Sequence, residues 1–493
     1  MKKTEFNLVP DCVNSSPDYY CTWQTQLFAT CDGKPEKQRE IIGEKALFCD
    51  EKPYGWAYFY EKARGDLFFV LHDSWDVPLN GDNKYYGSLI LIEEKFPATT
   101  KNAINNTEAM SKLTENIKTL GWKGLGGWVC ATESKILKGD DTSEEYWTKR
   151  IKEANQAGVS SWKVDWGENC GNAEFRIMLT ELAKKYAPGL VIEHSMVPDV
   201  IPHSDVFRTY DVPAIMSIPM TMNKLCDILS KGQAKESAMG LINCEDEAYI
   251  AAAGGFSMGI MRHPYAGAFC DGRADMSFPA THRNLKTKIF EVVRATRWHR
   301  LAPAFGVSGD VKIDKNILED CWNFENKAEE IEEWWFDTEF SKYVKDETVV
   351  INAPAQLARG CKLAKVTLNE NGDVPYIVIS KNSDGVLAVA TLGRTMGRTY
   401  KIPECDVEID AEDSDVIGVF GEYKNLLIET NIKRIKRILM QDLAGDMAYD
   451  ITDNVKIADD VIVIPGSVIH SIGTEMQPDG DTSEPGVIIK LEK

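Results

Sequence analysis

In the first two-thirds of the chain, short apolar runs alternate with longer amphipathic stretches. Asp18–Thr25, Leu67–Leu71, Gly124–Cys130, Gly158–Asp165, Leu190–Ser195, Val206–Asp211, Met239–Asp246 and Phe256–His263 each read as a buried parallel strand. Between them, Asn106–Leu120, Glu144–Gln156, Ala173–Tyr186, Met222–Ser230 and Glu247–Ala253 read as helices. In the first of these helices Met110, Leu113, Ile117 and Leu120 fall on one side, with Lys and Glu on the other. Strands interleaved with helices in this way predict a (β/α)₈ TIM barrel. After the eighth strand the rhythm lapses over an insertion at about residues 265–345. It holds a helix at Asn284–Arg300, Trp298, His299 and an acidic segment with the adjacent pair Trp334 and Trp335. The barrel pattern resumes at Val349–Pro354 (VVINAP). From about Cys361 short alternating strands take over, among them Tyr376–Ser380, Val386–Thr391, Val416–Phe420 and Val461–Pro465. They are split by Asn-Gly, Ser-Asp-Gly and Gly-Glu turns. The expected architecture is a barrel domain over residues 1–358 followed by a C-terminal antiparallel β-sandwich over 359–493.

Composition changes this picture little. The 493 residues leave room for two or three domains, and 43 % hydrophobic with 27 % charged residues is ordinary for a globular chain. The net charge of −20 argues against nucleic acid and anionic membrane partners, which need clustered Lys and Arg, and suits neutral substrates such as sugars. The twelve cysteines are scattered singly, without the spacing of a zinc site or the density of a disulfide scaffold. The N-terminus shows no apolar segment behind its two lysines. Together these point to a cytoplasmic enzyme with reduced thiols and no cofactor. Oligomeric state, including a homo-oligomer, stays open.

Candidate chemistry sits where apolar runs end. The carboxyl ends of barrel strands form the catalytic face. There the Gly158–Cys170 stretch (GVSSWKVDWGENC) delivers Asp165, with Lys163 two residues back on the same face and expected to pair with it. The second strand empties into His72, Asp73, Ser74, Trp75 and Asp76; the fifth ends near Glu193 and the sixth in Asp211.

The order of these motifs resembles the α-galactosidase clan, glycoside hydrolase families 27 and 36, and is most similar to family 27. His72-Asp73-Ser74-Trp75 resembles that family's Asp-Asp-x-Trp, Lys163-Val164-Asp165 its nucleophile strand, and Phe207-Arg208-Thr209-Tyr210-Asp211 its acid/base strand. AAAGGFSMGIMRH resembles its eighth strand, VVINAPAQLARG its barrel-closing segment and IPGSVIHSIGT its last sandwich strand. The resemblance implies retaining hydrolysis of an α-linked galactose or N-acetylgalactosamine, with Asp165 as nucleophile and Asp211 as acid/base. Such chemistry needs two carboxyls about 5–5.5 Å apart. It further implies sugar contacts from Arg208 at the 2-position and Lys163 at the 3- and 4-hydroxyls. Trp23 is a stacking face, and His72, Asp73, Trp75, Trp128 and Glu193 complete the expected pocket. Two positions depart from the family. His72 replaces a carboxylate with a ring that offers one donor and one acceptor, which keeps β-L-arabinopyranosides open as substrates. Cys170 displaces the family's loop cysteine, so no disulfide is carried over. Outside this class, a barrel isomerase or aldolase needs a metal cage or a Schiff-base Lys. A non-catalytic sugar-binding protein needs the aromatics but neither Asp.

Overall fold

The structure is a computed structural model that describes residues 1–30, 39–51, 55–209, 216–230, 240–262, 285–307, 310–323, 348–458 and 461–493. Eight parallel strands close into a barrel: β1 (Tyr19–Cys21), β2 (Phe68–Leu71), β3 (Gly124–Val129), β4 (Ser161–Val164), β5 (Val191–His194), β6 (Val206–Arg208), β7 (Leu241–Glu245) and β8 (Ser257–Ile260). The ring closes where Tyr19 and Tyr20 of β1 pair with Gly259 and Ile260 of β8. Each strand lies inside the apolar run that predicts it. The first run is cut short, because after Cys21 the chain turns at once into helix α1 (Trp23–Thr30).

Helices α2 (Asn106–Thr119), α3 (Ser143–Gln156), α4 (Ala173–Tyr186), α5 (Ser217–Ser230) and α6 (Ala248–Gly254) clothe the barrel. Their starts follow from local chemistry. Asn105 caps α2, Asn172 caps α4, and Thr142 with Glu145 forms a reciprocal capping box on α3. Helix α7 (Ile289–Trp298) lies within the stretch read from sequence as an insertion, and it packs beside α6 as the helix following β8. Trp298 and His299 are both buried. Trp298 donates to the Ala252 carbonyl at 3.1 Å and His299 Nδ1 lies 2.7 Å from Asp18 Oδ2 beneath the barrel.

The remainder is two facing sheets plus a smaller one. A nine-stranded sheet runs in spatial order Lys2–Lys3, Tyr449–Asp450, Arg437–Asp442, Gly486–Glu492, Val416–Phe420, Leu387–Leu392, Tyr376–Lys381, Gln356–Arg359 and Val311–Ile313. A five-stranded sheet (Lys365–Thr367, Asp406–Asp410, Asn425–Glu429, Val461–Pro465, Lys456–Ala458) covers one of its faces. Period-two alternation divides the labour. Ile377 and Ile379 join the core between the sheets, whereas Tyr376 and Val378 join the barrel's core with Trp298. Most pairings are antiparallel, yet Gln356–Arg359 with Tyr376–Lys381, Leu387–Leu392 with Val416–Phe420, and Asp406–Asp410 with Asn425–Glu429 run parallel.

Two segments differ from their sequence reading. VVINAP does not return to the barrel: Thr348–Pro354 pairs antiparallel with Ile317–Asn323 in a separate four-stranded sheet that packs on α5. In IPGSVIHSIGT only the first residues are strand, because Gly466–Gly473 is helical and the final sandwich strand is Gly486–Glu492.

Candidate functional site

The carboxyl ends of β4 to β7 converge on one buried ion cluster. β4 places Lys163 inside the barrel and stops one residue before Asp165; β5 supplies Glu193, β6 Arg208 and β7 Glu245. Arg208 is the hub. Its Nη2 donates to Asp165 Oδ1 and, at 3.2 Å, to Ser195 Oγ. Nη1 donates to Glu245 Oε1 at 3.1 Å, and Nε lies 3.8 Å from Glu193 Oε1. Lys163 Nζ reaches across the barrel to the same Glu245 oxygen at 3.3 Å and faces the Tyr19 ring at 5.7 Å. The Tyr19 hydroxyl donates to Glu193 at 3.0 Å. Room for that tyrosine comes from Gly259 of β8, where a Cβ would stand 2.6 Å from the hydroxyl.

Asp165 is fixed from both ends. Trp128 of β3 donates its indole N–H to Oδ2 at 2.8 Å, so each carboxylate oxygen has a donor from another strand. The buried Arg176 of α4 donates to the Asp165 carbonyl at 2.9 Å and the Val164 carbonyl at 3.1 Å.

The charges sort themselves by environment. Burial pushes Glu245 up, but the Lys163 and Arg208 charges and their hydrogen bonds outweigh it and bring the carboxyl down to about 2. In Glu193 burial wins over the same two cations, Glu245 adds repulsion, and its carboxyl rises to about 7. Burial and Arg208 pull Lys163 down, yet Cys21, Glu245 and Glu193 more than offset them and its pKa is raised. His72 is held well below its usual value by burial and then by the Lys163 and Arg208 charges, so its ring is neutral.

An aromatic arc borders the cluster. Trp23, at the start of α1, lies with its ring 4.5 Å from His72; His72 is 5.7 Å from Trp128, and Trp128 is 5.4 Å from Trp166. Asp73 stands beside the arc with Arg39 Nε at 3.3 Å and the Ser74 hydroxyl at 2.7 Å. Burial raises its pKa against the Arg39 charge.

The structure therefore brings together Trp23, His72, Asp73, Trp128, Lys163, Asp165, Glu193 and Arg208. It sends Trp75 elsewhere. This side chain is 2 % exposed, lies behind the barrel wall among Leu71, Gly127, Met110 and Trp162, and donates to the Trp128 carbonyl at 2.9 Å. As core it has no face for a sugar. The expected pairing of Lys163 with Asp165 is also corrected. Lys163 belongs to Glu245 and Asp165 to Arg208, because the inward side chains meet across the barrel rather than along one strand. Asp211, Trp334 and Trp335 lie outside the described residues. Glu245, Tyr19, Ser195 and Trp166 were not singled out from sequence. Glu245 could have been, since it ends an apolar run just as Asp165 does.

Among the described residues no group of three or more His, Cys, Asp or Glu is placed to hold a metal ion, and the ten described cysteines, Cys170 included, are free thiols. No family model and no curated protein matches the chain. The structure is similar to that of a glycoside hydrolase family 27 β-L-arabinopyranosidase from Geobacillus stearothermophilus (TM-score 0.43, 10 % identity, 97 % of this chain and 96 % of that one). It is also similar to α-galactosidase I from Mortierella vinacea (TM-score 0.41, 11 % identity, 97 % and 98 %). An Anoxybacillus α-amylase is similar to the same degree (TM-score 0.43, 10 % identity, 97 % and 98 %).

Proposed function

We propose that this protein is a retaining glycoside hydrolase acting on terminal α-galactosides or sugars of the same ring stereochemistry. The observation that carries this reading is the carboxylate of Asp165, held by Arg208 and Trp128 at the carboxyl end of β4 beside an aromatic arc. Orphaned polar atoms add to it. His72 Nδ1, Glu193 Oε2 and Glu245 Oε2 are buried with no hydrogen-bond partner among the described residues. Such atoms cost stability unless a polar ligand or water satisfies them, and a hydroxyl-rich ring supplies matching groups.

In this reading an Asp165 oxygen attacks the anomeric carbon as the glycosidic C–O bond breaks, and the leaving oxygen takes a proton from Asp211, assigned from its motif alone. Water then attacks the glycosyl-enzyme, gives its proton to Asp211 and releases Asp165 as a carboxylate. Arg208 and Trp128 orient the nucleophile in the first step and stabilise its departing charge in the second. A panel of nitrophenyl glycosides, run with a metal chelator present, tests the class. Asp165→Asn should lower turnover by several orders of magnitude, and a 2-fluoro glycosyl trap should label the peptide holding Asp165. A label elsewhere would remove the assignment.

The neutral His72 favours a second reading on the same scaffold. Beside the sugar it offers one donor and one acceptor in place of a carboxylate, which fits a β-L-arabinopyranoside lacking the sixth carbon. The ratio of kcat/KM for α-galactoside and β-L-arabinopyranoside decides between the two.

A further inference from the structure

Trp166 immediately follows the proposed nucleophile, and it is the one exposed tryptophan among the described residues, at 37 %. An isolated exposed apolar side chain needs no explanation. This one is not isolated, because its ring packs edge-on to Tyr86 at 4.9 Å and 68° and leans on Trp128 at 5.4 Å and 55°. Trp128 is the residue that donates to Asp165, so the indole of Trp166 stands one ring from the reacting carboxylate.

The backbone beneath it is equally fixed. The Trp166 carbonyl accepts from Ala131 N at 2.7 Å, Glu168 N donates to Thr132 Oγ1 at 2.7 Å, and Asn169 N donates to the Ala131 carbonyl at 2.9 Å. Gly167, at φ 139°, lets the two loops approach this closely. A Cβ there would lie 2.6 Å from Thr132 Oγ1 and 2.7 Å from the Ala131 carbonyl carbon. The outcome is an aromatic ring with a fixed base, two braced sides and an accessible remainder, which loses little conformational freedom when something stacks on it.

We infer that Trp166 is the stacking platform for the group attached to the cleaved sugar, most simply a second pyranose of an oligosaccharide. This rests on the hydrolase reading above and adds a specificity-determining residue to it. The order of the arc sets its side. His72 is buried and feels the Lys163 and Arg208 charges, so its part of the arc faces the ion cluster and the ring that Asp165 attacks sits there, whereas the exposed Trp166 forms the outer end where a leaving sugar passes.

A nitrophenyl leaving group would itself stack on this platform, so the test compares a disaccharide with the matching glycosyl fluoride, whose leaving atom makes no such contact. Trp166→Ala should lower kcat/KM for the disaccharide roughly tenfold or more, as expected for one lost aromatic stacking contact of about 1.4 kcal/mol. On the fluoride the loss should be several-fold smaller, so that the ratio of kcat/KM for disaccharide over fluoride falls. Trp166→Phe should recover most of the loss. Equal losses on both substrates, or none on the disaccharide, overturn the platform while leaving the hydrolase reading standing. A wild-type protein inert towards the whole panel overturns the hydrolase reading instead. Calorimetric titration with oligosaccharide then decides the platform separately, and equal affinity of wild type and Trp166→Ala overturns it.

Discussion

Glu245 offers the most direct test of the ion cluster. Glu245→Gln keeps the shape of the side chain and one acceptor for Lys163 and Arg208 but removes the charge that both cations face at 3.3 and 3.1 Å. Removing one partner from a buried ion pair costs about 3–5 kcal/mol, mostly because the cations are left uncompensated. The unfolding entropy is about 2.1 cal/mol/K per residue, which over 493 residues makes about 1 kcal/mol equivalent to one degree. Scanning calorimetry near pH 7 should therefore show Tm lowered by about 3–5 °C. The pH dependence follows from the depressed carboxyl. Its contribution is full above the unfolded value of 4.5 and is lost as pH falls through about 2, so the gap between wild type and variant should narrow below pH 4.5. Glu245 also repels Glu193, so the Glu193 titration should move to lower pH in the variant. An unchanged Tm at neutral pH, or a gap that widens in acid, would refute the claim that Glu245 neutralises Lys163 and Arg208.

Three further expectations concern neighbouring residues. Glu193 has a raised carboxyl, so its stabilising proton is fully present below 4.5 and lost as pH rises through about 7. Glu193→Gln should therefore gain on wild type by roughly 3 kcal/mol between those limits, read as Tm against pH, and parallel curves would contradict it. Trp128→Phe deletes the donor to Asp165 Oδ2. A hydrogen bond to a charged group is worth about 1.5–3 kcal/mol, so kcat on a glycosyl fluoride should fall by about ten- to a hundredfold, and wild-type turnover would show that the bond does not serve the nucleophile. Trp75→Ala should cost about 3–5 kcal/mol of stability and leave KM for the fluoride unchanged; a raised KM with intact Tm would place Trp75 in the pocket after all.

Much of the scaffold was legible in the chain because its signals are local. A buried parallel strand needs a short apolar run, a helix needs one apolar face and a cap, and both are written within about a dozen residues. So the Asp165 strand, the α4 span and the ends of β2 and β5 could be read directly. The strand predicted at Asp18–Thr25 failed at its end because local pattern does not say where a strand stops and a helix starts. VVINAP failed for a related reason: the β-branched run Val349, Val350 and Ile351 suits a strand in either sheet, and only the partner, here Ile317–Asn323, decides which.

What the tertiary structure alone decided is which groups meet. The alternation of side chains put Lys163 inside the barrel, but its partner Glu245 lies on β7, three strands on from β4 in the closed ring. Closure and register bring such groups within ion-pair distance, and neither is encoded near either residue. The same holds for Trp75. Its motif placed it at the end of β2, but the turn after that strand carried its ring outward into the gap between wall and helices. It holds too for Trp166, whose neighbours Tyr86 and Trp128 come from another loop and from β3. Sequence determined the elements and the strand ends where chemistry gathers, because hydrophobic period and capping act over a few residues. The pairing of charges, and the choice between core and pocket for an aromatic ring, depend on distances set only once eight strands close into one barrel.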